Sequence, residues 1–219
     1  MSSVVGAAYS ARAAEYVEKL GSIAAMHPSD VALITSWAAQ VNGPIVDAGC
    51  GPGHWTACLS EHGNDVRGID QVPEFIEHAR ETYPTLSFTL ASIDDLPDAS
   101  GAVGGILAWY SLIHHEPNTI RATLREFARV LQPGGELLIG FFIGPVVEPF
   151  DHTVVTAYRW PPEALSRELH AAGFEVLETH TRTGGDPQPR PHGAIIARLL
   201  ASDGGSERQA GRPSADGCA

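Results

Sequence analysis

Two periodicities run along the chain. At the start the spacing is helical. Tyr9, Ala13, Tyr16 and Leu20 share one side of a segment around Tyr9 to Leu20, and after the start signal "HPSD" Val31, Ile34 and Ala38 share one face up to about Gln40. From Pro44 the pattern becomes an alternation of short apolar runs with amphipathic helices. "PIVDAG", "DVRGID", "LSFTLA", "VGGILAWY" and "ELLIGFF" read as strands, the fourth apolar throughout, as a strand covered on both faces should be. Between them "HWTACLSE", "VPEFIEHARETY" and "NTIRATLREFARVL" read as helices. The second of these has Pro73 near its first turn, and "QPGG" ends the third.

Further on, "IGPVVEPFDHTVVTAYRW" has no clear period and too many apolar residues for a surface linker, so it reads as a segment covering a site. A proline-started helix, "PPEALSRELHAAGF", leads into a strand "EVLETH", a Pro/Gly-rich loop and a last strand "AIIARLL". Strand and helix alternate throughout. The prediction is an α/β fold: a doubly wound, mostly parallel seven-stranded sheet with helices on both faces, Rossmann-like, behind an N-terminal helical cap. It forms one domain over residues 1–201, made of a cap (1–42), a core (43–142) and the covering segment with the C-terminal strands (143–201). Residues 202–219 lack apolar side chains to bury and are expected to be a disordered tail.

Composition narrows the function. The formal charge is −12, and the 14 Lys and Arg are scattered, which argues against a nucleic-acid partner. No apolar stretch is long enough to span a bilayer and the N-terminus has no secretory pattern, so no membrane is expected and the cytoplasm is the expected location. Cys50, Cys58 and Cys218 show no metal-ligand spacing and are expected to be free thiols. "HHEP" lacks a third ligand at a known spacing, so no metal is expected either.

The candidate chemistry lies in "VDAGCGPG". Gly49, Gly51 and Gly53 stand at alternate positions where a strand turns into a helix, and an aspartate, Asp70, ends the next strand. Glycines there let backbone amides approach a ligand closely. A dinucleotide fingerprint needs a glycine where this chain has His54, so a nicotinamide cofactor is disfavoured.

The segment from Pro44 to Phe142 resembles the class I S-adenosylmethionine-dependent methyltransferases. The resemblance is carried by "VDAGCGPG", by Asp70, by "ASIDDLP" after the third strand and by "RVLQPGGELLIGFF". It implies S-adenosyl-L-methionine as cofactor and S-adenosyl-L-homocysteine as product. The donor site would comprise Asp47, Gly49, Gly51, Gly53, Asp70 on the ribose hydroxyls, Gln71, and Ser92 and Ile93 at the adenine, with Trp109 beside the donor. Ser92 stands where family members often carry an aspartate. Tyr9 and Tyr16 would close the site from the N-terminal side.

Acceptor chemistry falls on "AWYSLIHHEPN" and the covering segment. His114 reads either as a general base or as a packed helix-start residue, and His115 as a substrate contact or a structural histidine. Tyr110, Tyr158 and Arg159 are the remaining acceptor candidates, Arg159 for a carboxylate or phosphate. Against this, Trp109 and Tyr110 can be core, and the covering segment can be packed shut by its own side chains. The implied partner is a small-molecule acceptor. Two alternatives remain: a protein that binds the same donor without transferring methyl, and a nicotinamide oxidoreductase.

Overall fold

The computed structural model describes residues 2–183 and 191–201. The expected tail, 202–219, and most of the Pro/Gly-rich loop lie outside the described residues. The N-terminal pattern forms two helices rather than one, α1 (Ser2–Ser10) and α2 (Ala13–Leu20), separated where Arg12 leaves helical geometry. The register of apolar side chains survives the break: Tyr9, Ala13, Tyr16 and Val17 pack on Val72 and Phe75. Helix α3 (Pro28–Ala38) completes the cap, with Pro28 at its first turn and the His27 side chain accepting the Ser29 amide.

Then follow β1 (Ile45–Ala48), α4 (His54–Glu61), β2 (Val66–Asp70), α5 (Pro73–Thr82), β3 (Ser87–Leu90), β4 (Val103–Trp109), α6 (Ile120–Val130) and β5 (Leu131–Ile143). After these come β6 (Glu148–Phe150), β7 (Ala157–Trp160), α7 (Pro162–Ala171), β8 (Phe174–Arg182) and β9 (His192–Leu199). Strands β3, β2, β1, β4 and β5 run parallel in that order, with β9 and then β8 added antiparallel at the far side of β5.

The sheet has nine strands, not seven. The two additions are β6 and β7, both from the covering segment. Pro145 and Pro149 interrupt that segment and its strands are only three and four residues long, so no alternation announced them. Phe142 pairs with His192 of β9 on one edge and with Arg159 of β7 on the other. Strand β7 therefore takes the edge of β5 that β4 leaves after Trp109, and the β6–β7 hairpin stands beyond the carboxyl ends of the parallel strands.

Burial follows the two-residue period of the strands. Ile106, Ala108, Leu137 and Ile139 face one side, with Leu124 and Phe127 of α6 and Leu165 and Leu169 of α7. Leu107 and Leu138, one residue out of phase, face the other, with Ile34 and Trp37 of α3 and Trp55 and Leu59 of α4. Covered on both faces, β1 and β4 are rigid supports, and the crevice between their carboxyl ends is the topological switch point of the sheet.

Candidate functional site

A cavity of about 660 Å³ occupies that crevice. Its floor begins at Asp47 and the turn after it. Gly49, Gly51 and Gly53 all have positive φ, of 82°, 53° and 86°. The first two lie along the cavity, while Gly53 caps α4 and packs toward Phe88, away from it. The turn is pinned at both ends. The amides of Gly49 and Cys50 donate to the Ile69 carbonyl at 2.7 and 3.0 Å, and the Gly51 amide donates to Asp70 Oδ2 at 2.9 Å.

Asp70 also accepts the Val72 amide through Oδ1 at 2.9 Å. It is 8% exposed, and burial raises its pKa against the opposing pull of these amides. A carboxylate has about four acceptor positions, so these two amides leave capacity facing the cavity. Asp47, which accepts from Thr56 Oγ1 at 2.7 Å, is pushed up to about 7 by burial. Beside the turn, His54 Nδ1 and Ser111 Oγ are buried without a partner among the described residues, and burial lowers His54 to about 4. A buried polar atom without a partner is costly, and a polar ligand at this turn is the usual remedy.

The glycines differ in what they tolerate. A Cβ on Gly49 would overlap the Cβ of Ser111, whereas one on Gly51 would meet only Tyr16, at 3.8 Å. Gly49→Ala should therefore destabilise the fold by about 1–3 kcal/mol, lowering the thermal midpoint. Gly51→Ala should cost only the left-handed penalty of about 1–2 kcal/mol while placing a methyl group in the cavity. Thermal melts and ligand titrations of both variants check this. Equal loss of stability, with ligand affinity untouched in Gly51→Ala, would contradict it.

The cap closes one side. Tyr9 and Tyr16 line the cavity, Tyr16 over Phe75 at 5.1 Å between centroids, and burial raises both phenols, Tyr16 to about 12. The Tyr9 hydroxyl lies 2.9 Å from His114 Nε2. His114 Nδ1 lies 2.8 Å from the Thr156 carbonyl, which can only accept, so Nδ1 carries the hydrogen in the neutral ring. Nε2 then holds the lone pair, with Tyr9 donating to it. Burial holds the His114 pKa below its ordinary value, so the neutral form persists.

The remaining wall consists of rings. Tyr110 has a φ of 59°, the one non-glycine residue with positive φ among the described residues, and its hydroxyl lies 2.5 Å from His192 Nδ1. Phe142, His152 and His192 complete this end. No group of His, Cys, Asp and Glu among the described residues is arranged to hold a metal ion.

Of the residues singled out in the sequence, Asp47, Gly49, Gly51, Asp70, Gln71, Ile93, Trp109, Tyr110 and His114 converge on the cavity. Gly53, Ser92, His115, Tyr158 and Arg159 are not among its lining residues. Ser92 Oγ accepts the Asp94 amide at 3.1 Å, which leaves Ile93 to face the cavity. His115 turns to Asp94 at 2.8 Å, and Asp94 also accepts from Thr123 at 2.5 Å. Tyr158 packs on the core, and Arg159 lies 4.3 Å over the Phe150 ring and 3.6 Å from Glu148. Sequence reasoning did not select Ser111, Phe142, His152, His192, Asp30 or Arg182 for this site. Phe142, at the carboxyl end of a parallel strand, carried a usable signal. His192 reaches the site only through antiparallel pairing with that strand.

The fold and the cavity define a Rossmann-like α/β protein that takes its ligand at the carboxyl ends of its parallel strands. Residues 45–135 match the model of a family described as methyltransferase domain. The malonyl-[acyl-carrier protein] O-methyltransferase of Salmonella typhimurium is 32% identical over 124 residues, 57% of this chain and 48% of that one. A probable S-adenosylmethionine-dependent methyltransferase of Mycolicibacterium smegmatis is 29% identical over 175 residues, 78% of this chain and 65% of that one. The chain thus spans about half to two thirds of the length of these curated relatives. Among solved structures, the Burkholderia thailandensis 1,6-didemethyltoxoflavin-N1-methyltransferase, with 1,6-didemethyltoxoflavin and S-adenosylhomocysteine bound, superposes with a TM-score of 0.70. That match is 18% identical and covers 92% of this chain and 91% of the other. Residues 45–135 thus match a methyltransferase domain, and the chain is similar to S-adenosylmethionine-dependent methyltransferases.

Proposed function

We propose that this protein transfers a methyl group from S-adenosyl-L-methionine to a small-molecule acceptor, acting as one domain of cap, core and covering segment. The observation that carries the reading is the union, in one cavity, of the glycine turn with Asp70 at one end and His114, its lone pair inward, at the other. The residues fit the donor: the turn leaves Gly51 facing only the Tyr16 ring, Asp70 retains acceptor capacity for a ribose diol, and Ser111 and His54 hold polar atoms without partners. When bound, S-adenosyl-L-methionine supplies a methyl group already activated by the sulfonium charge.

The chain's own work is positioning and proton removal. Gly49 and Gly51 present backbone to the donor, Asp70 and Gln71 hold its ribose, and Ile93 covers its adenine. Asp47 lies at the floor, and Trp109 flanks the donor. Tyr9 and Tyr16 exclude water from above. Holding two reactants in line is worth on the order of 7–11 kcal/mol, against roughly 10²–10⁴ in rate for a general base, so alignment is the larger contribution. His114 takes the acceptor's proton at Nε2, and Tyr110 lies against the acceptor. A small acceptor suits this geometry: cap and hairpin enclose the cavity, and the sequence shows no clustered cationic surface that would draw a nucleic acid. Among the described residues no helix is long and apolar enough to cross a membrane.

The test is turnover. Purified protein given methyl-labelled donor and a panel of small hydroxyl, amine and thiol acceptors should release S-adenosylhomocysteine with at least one of them. Tight donor binding with no transfer to any acceptor would favour a binding protein instead.

A further inference from the structure

The acceptor end of the cavity is built of rings from four separate parts of the chain. Tyr110 follows β4, Phe142 ends β5, His152 belongs to the covering segment and His192 begins β9. They are in mutual contact. Phe142 lies 5.0 Å from Tyr110, 5.5 Å from His192 and 6.0 Å from His152, tilted by 43°, 50° and 44°. His152 lies 5.4 Å from His114. One of these rings is held at a cost. The left-handed backbone of Tyr110 is an arrangement that side-chain-bearing residues avoid, and its hydroxyl is fixed on His192. Such strain persists where the surrounding structure imposes it, and it clusters at ligand sites.

Charge is absent from this end in any usable form. Every Lys and Arg lining the cavity touches an acid: Arg12 and Lys19 share Glu15, each at 2.8 Å, and Arg182 meets Asp30 at 2.7 Å. An anionic acceptor would find no unpaired cation. A cationic one would face the donor's own positive charge, and a protonated amine has no electron pair to give.

We propose that the acceptor is an uncharged, planar aromatic molecule bearing a hydroxyl or ring N–H, seated among Tyr110, Phe142, His152 and His192 with that group toward His114 Nε2. The inference rests on the reading of the cavity as a methyl-transfer site. Its proton chemistry is consistent with that position. The Tyr9 hydroxyl gives up its hydrogen bond to the Nε2 lone pair, the acceptor's O–H or N–H bond breaks with its electron pair staying on the acceptor atom, and the proton passes to Nε2, giving imidazolium and the acceptor anion. A phenol, with a pKa near 10, is within reach of an imidazole base, whereas an aliphatic alcohol is as weak an acid as water. Ring faces and edges add attraction that a saturated molecule of the same size does not receive.

The experiment is a calorimetric titration of the full chain, with and without saturating S-adenosylhomocysteine, using three probes built on one bicyclic carbon skeleton. These are 2-naphthol, its saturated counterpart decahydro-2-naphthol, and 6-hydroxy-2-naphthoate. The expected result is 2-naphthol binding at least about tenfold more tightly than either of the others. In Phe142→Leu and in His152→Leu, the second in the half-buried covering segment and so tolerant of change, the preference for the flat ring should narrow. Equal or tighter binding of the saturated alcohol or of the naphthoate overturns the proposal, as does a ring preference that neither variant moves. Binding of S-adenosylhomocysteine without ring preference would sink this inference alone. Ring preference without S-adenosylhomocysteine binding would sink the donor site and leave the ring-lined site standing.

Discussion

Replacing Asp70 by alanine lowers affinity for S-adenosylhomocysteine by about 10²-fold or more, the largest binding effect expected of any single substitution here. A hydrogen bond to a charged group is worth about 1.5–3 kcal/mol, and a ribose offers two hydroxyls, so full loss of both corresponds to roughly 10²–10⁴ in affinity. A second contribution acts through the protein. Asp70 holds the amides of Gly51 and Val72, so its removal also releases the glycine turn from the end of β2. Asp70→Asn keeps the size of the side chain and one of its two backbone bonds. The amide oxygen still accepts one backbone amide, but the NH₂ group opposes the other and cannot accept from a hydroxyl. If the carboxylate binds the ribose, Asp70→Asn loses at least about tenfold in affinity, and the opposed amide lowers its thermal midpoint as well. Calorimetry and a thermal melt report both quantities. Unchanged affinity in a folded Asp70→Ala protein would remove the ribose assignment.

His114→Ala is expected to lower turnover by roughly 10²–10⁴, the contribution of a positioned general base, with affinity for S-adenosylhomocysteine changed less than about threefold. The split between the two is the test, because a merely structural histidine would reduce both. The pH dependence carries an independent signature. Burial favours the neutral imidazole and lowers the His114 pKa, so the base stays competent as pH falls through the ordinary histidine value of about 6.5. The acid limb of kcat/KM should lie below that value, not above it. The Tyr9 hydroxyl donates to the lone pair of Nε2 and so stabilises the same neutral form. Tyr9→Phe keeps the ring against Tyr16 and Phe75, removes that bond and should move the acid limb to higher pH. Stability follows the same direction. A histidine whose folded pKa is depressed binds protons less readily folded than unfolded. Its contribution to stability is therefore complete above the unfolded pKa and is lost as pH falls below it.

The glycine-turn end of the cavity was legible because its signals are local. Alternate glycines at a strand–helix turn and a carboxylate ending the next strand occupy one continuous stretch, and the parallel pairing of β1 with β2 brings Gly51 and Asp70 within 2.9 Å. Helix and strand alternation from Pro44 to Ile143 was legible for the same reason. The acceptor end was not, since it is assembled by distant pairing. Phe142 meets His192 only through the antiparallel register of β5 with β9, and His152 arrives on a segment with no period of its own. Adjacent residues also diverge in ways a linear pattern does not show. His114 turns inward to Tyr9, while His115 turns to Asp94. Tyr158 and Arg159 were read as acceptor contacts because the covering segment showed no period and read as a cover over the site. Once it forms a hairpin, strand pairing sends Tyr158 to the core and Arg159 to Glu148 and Phe150.

The most direct measurement is a calorimetric titration of the purified chain with S-adenosylhomocysteine, with reduced nicotinamide dinucleotide as the matched control. Saturable binding of S-adenosylhomocysteine alone, at one site per chain and abolished or strongly weakened in Asp70→Ala, is the expected result. Binding of the dinucleotide would favour a nicotinamide enzyme instead, and binding of neither ligand by folded protein would mean that the glycine turn and Asp70 only support the fold.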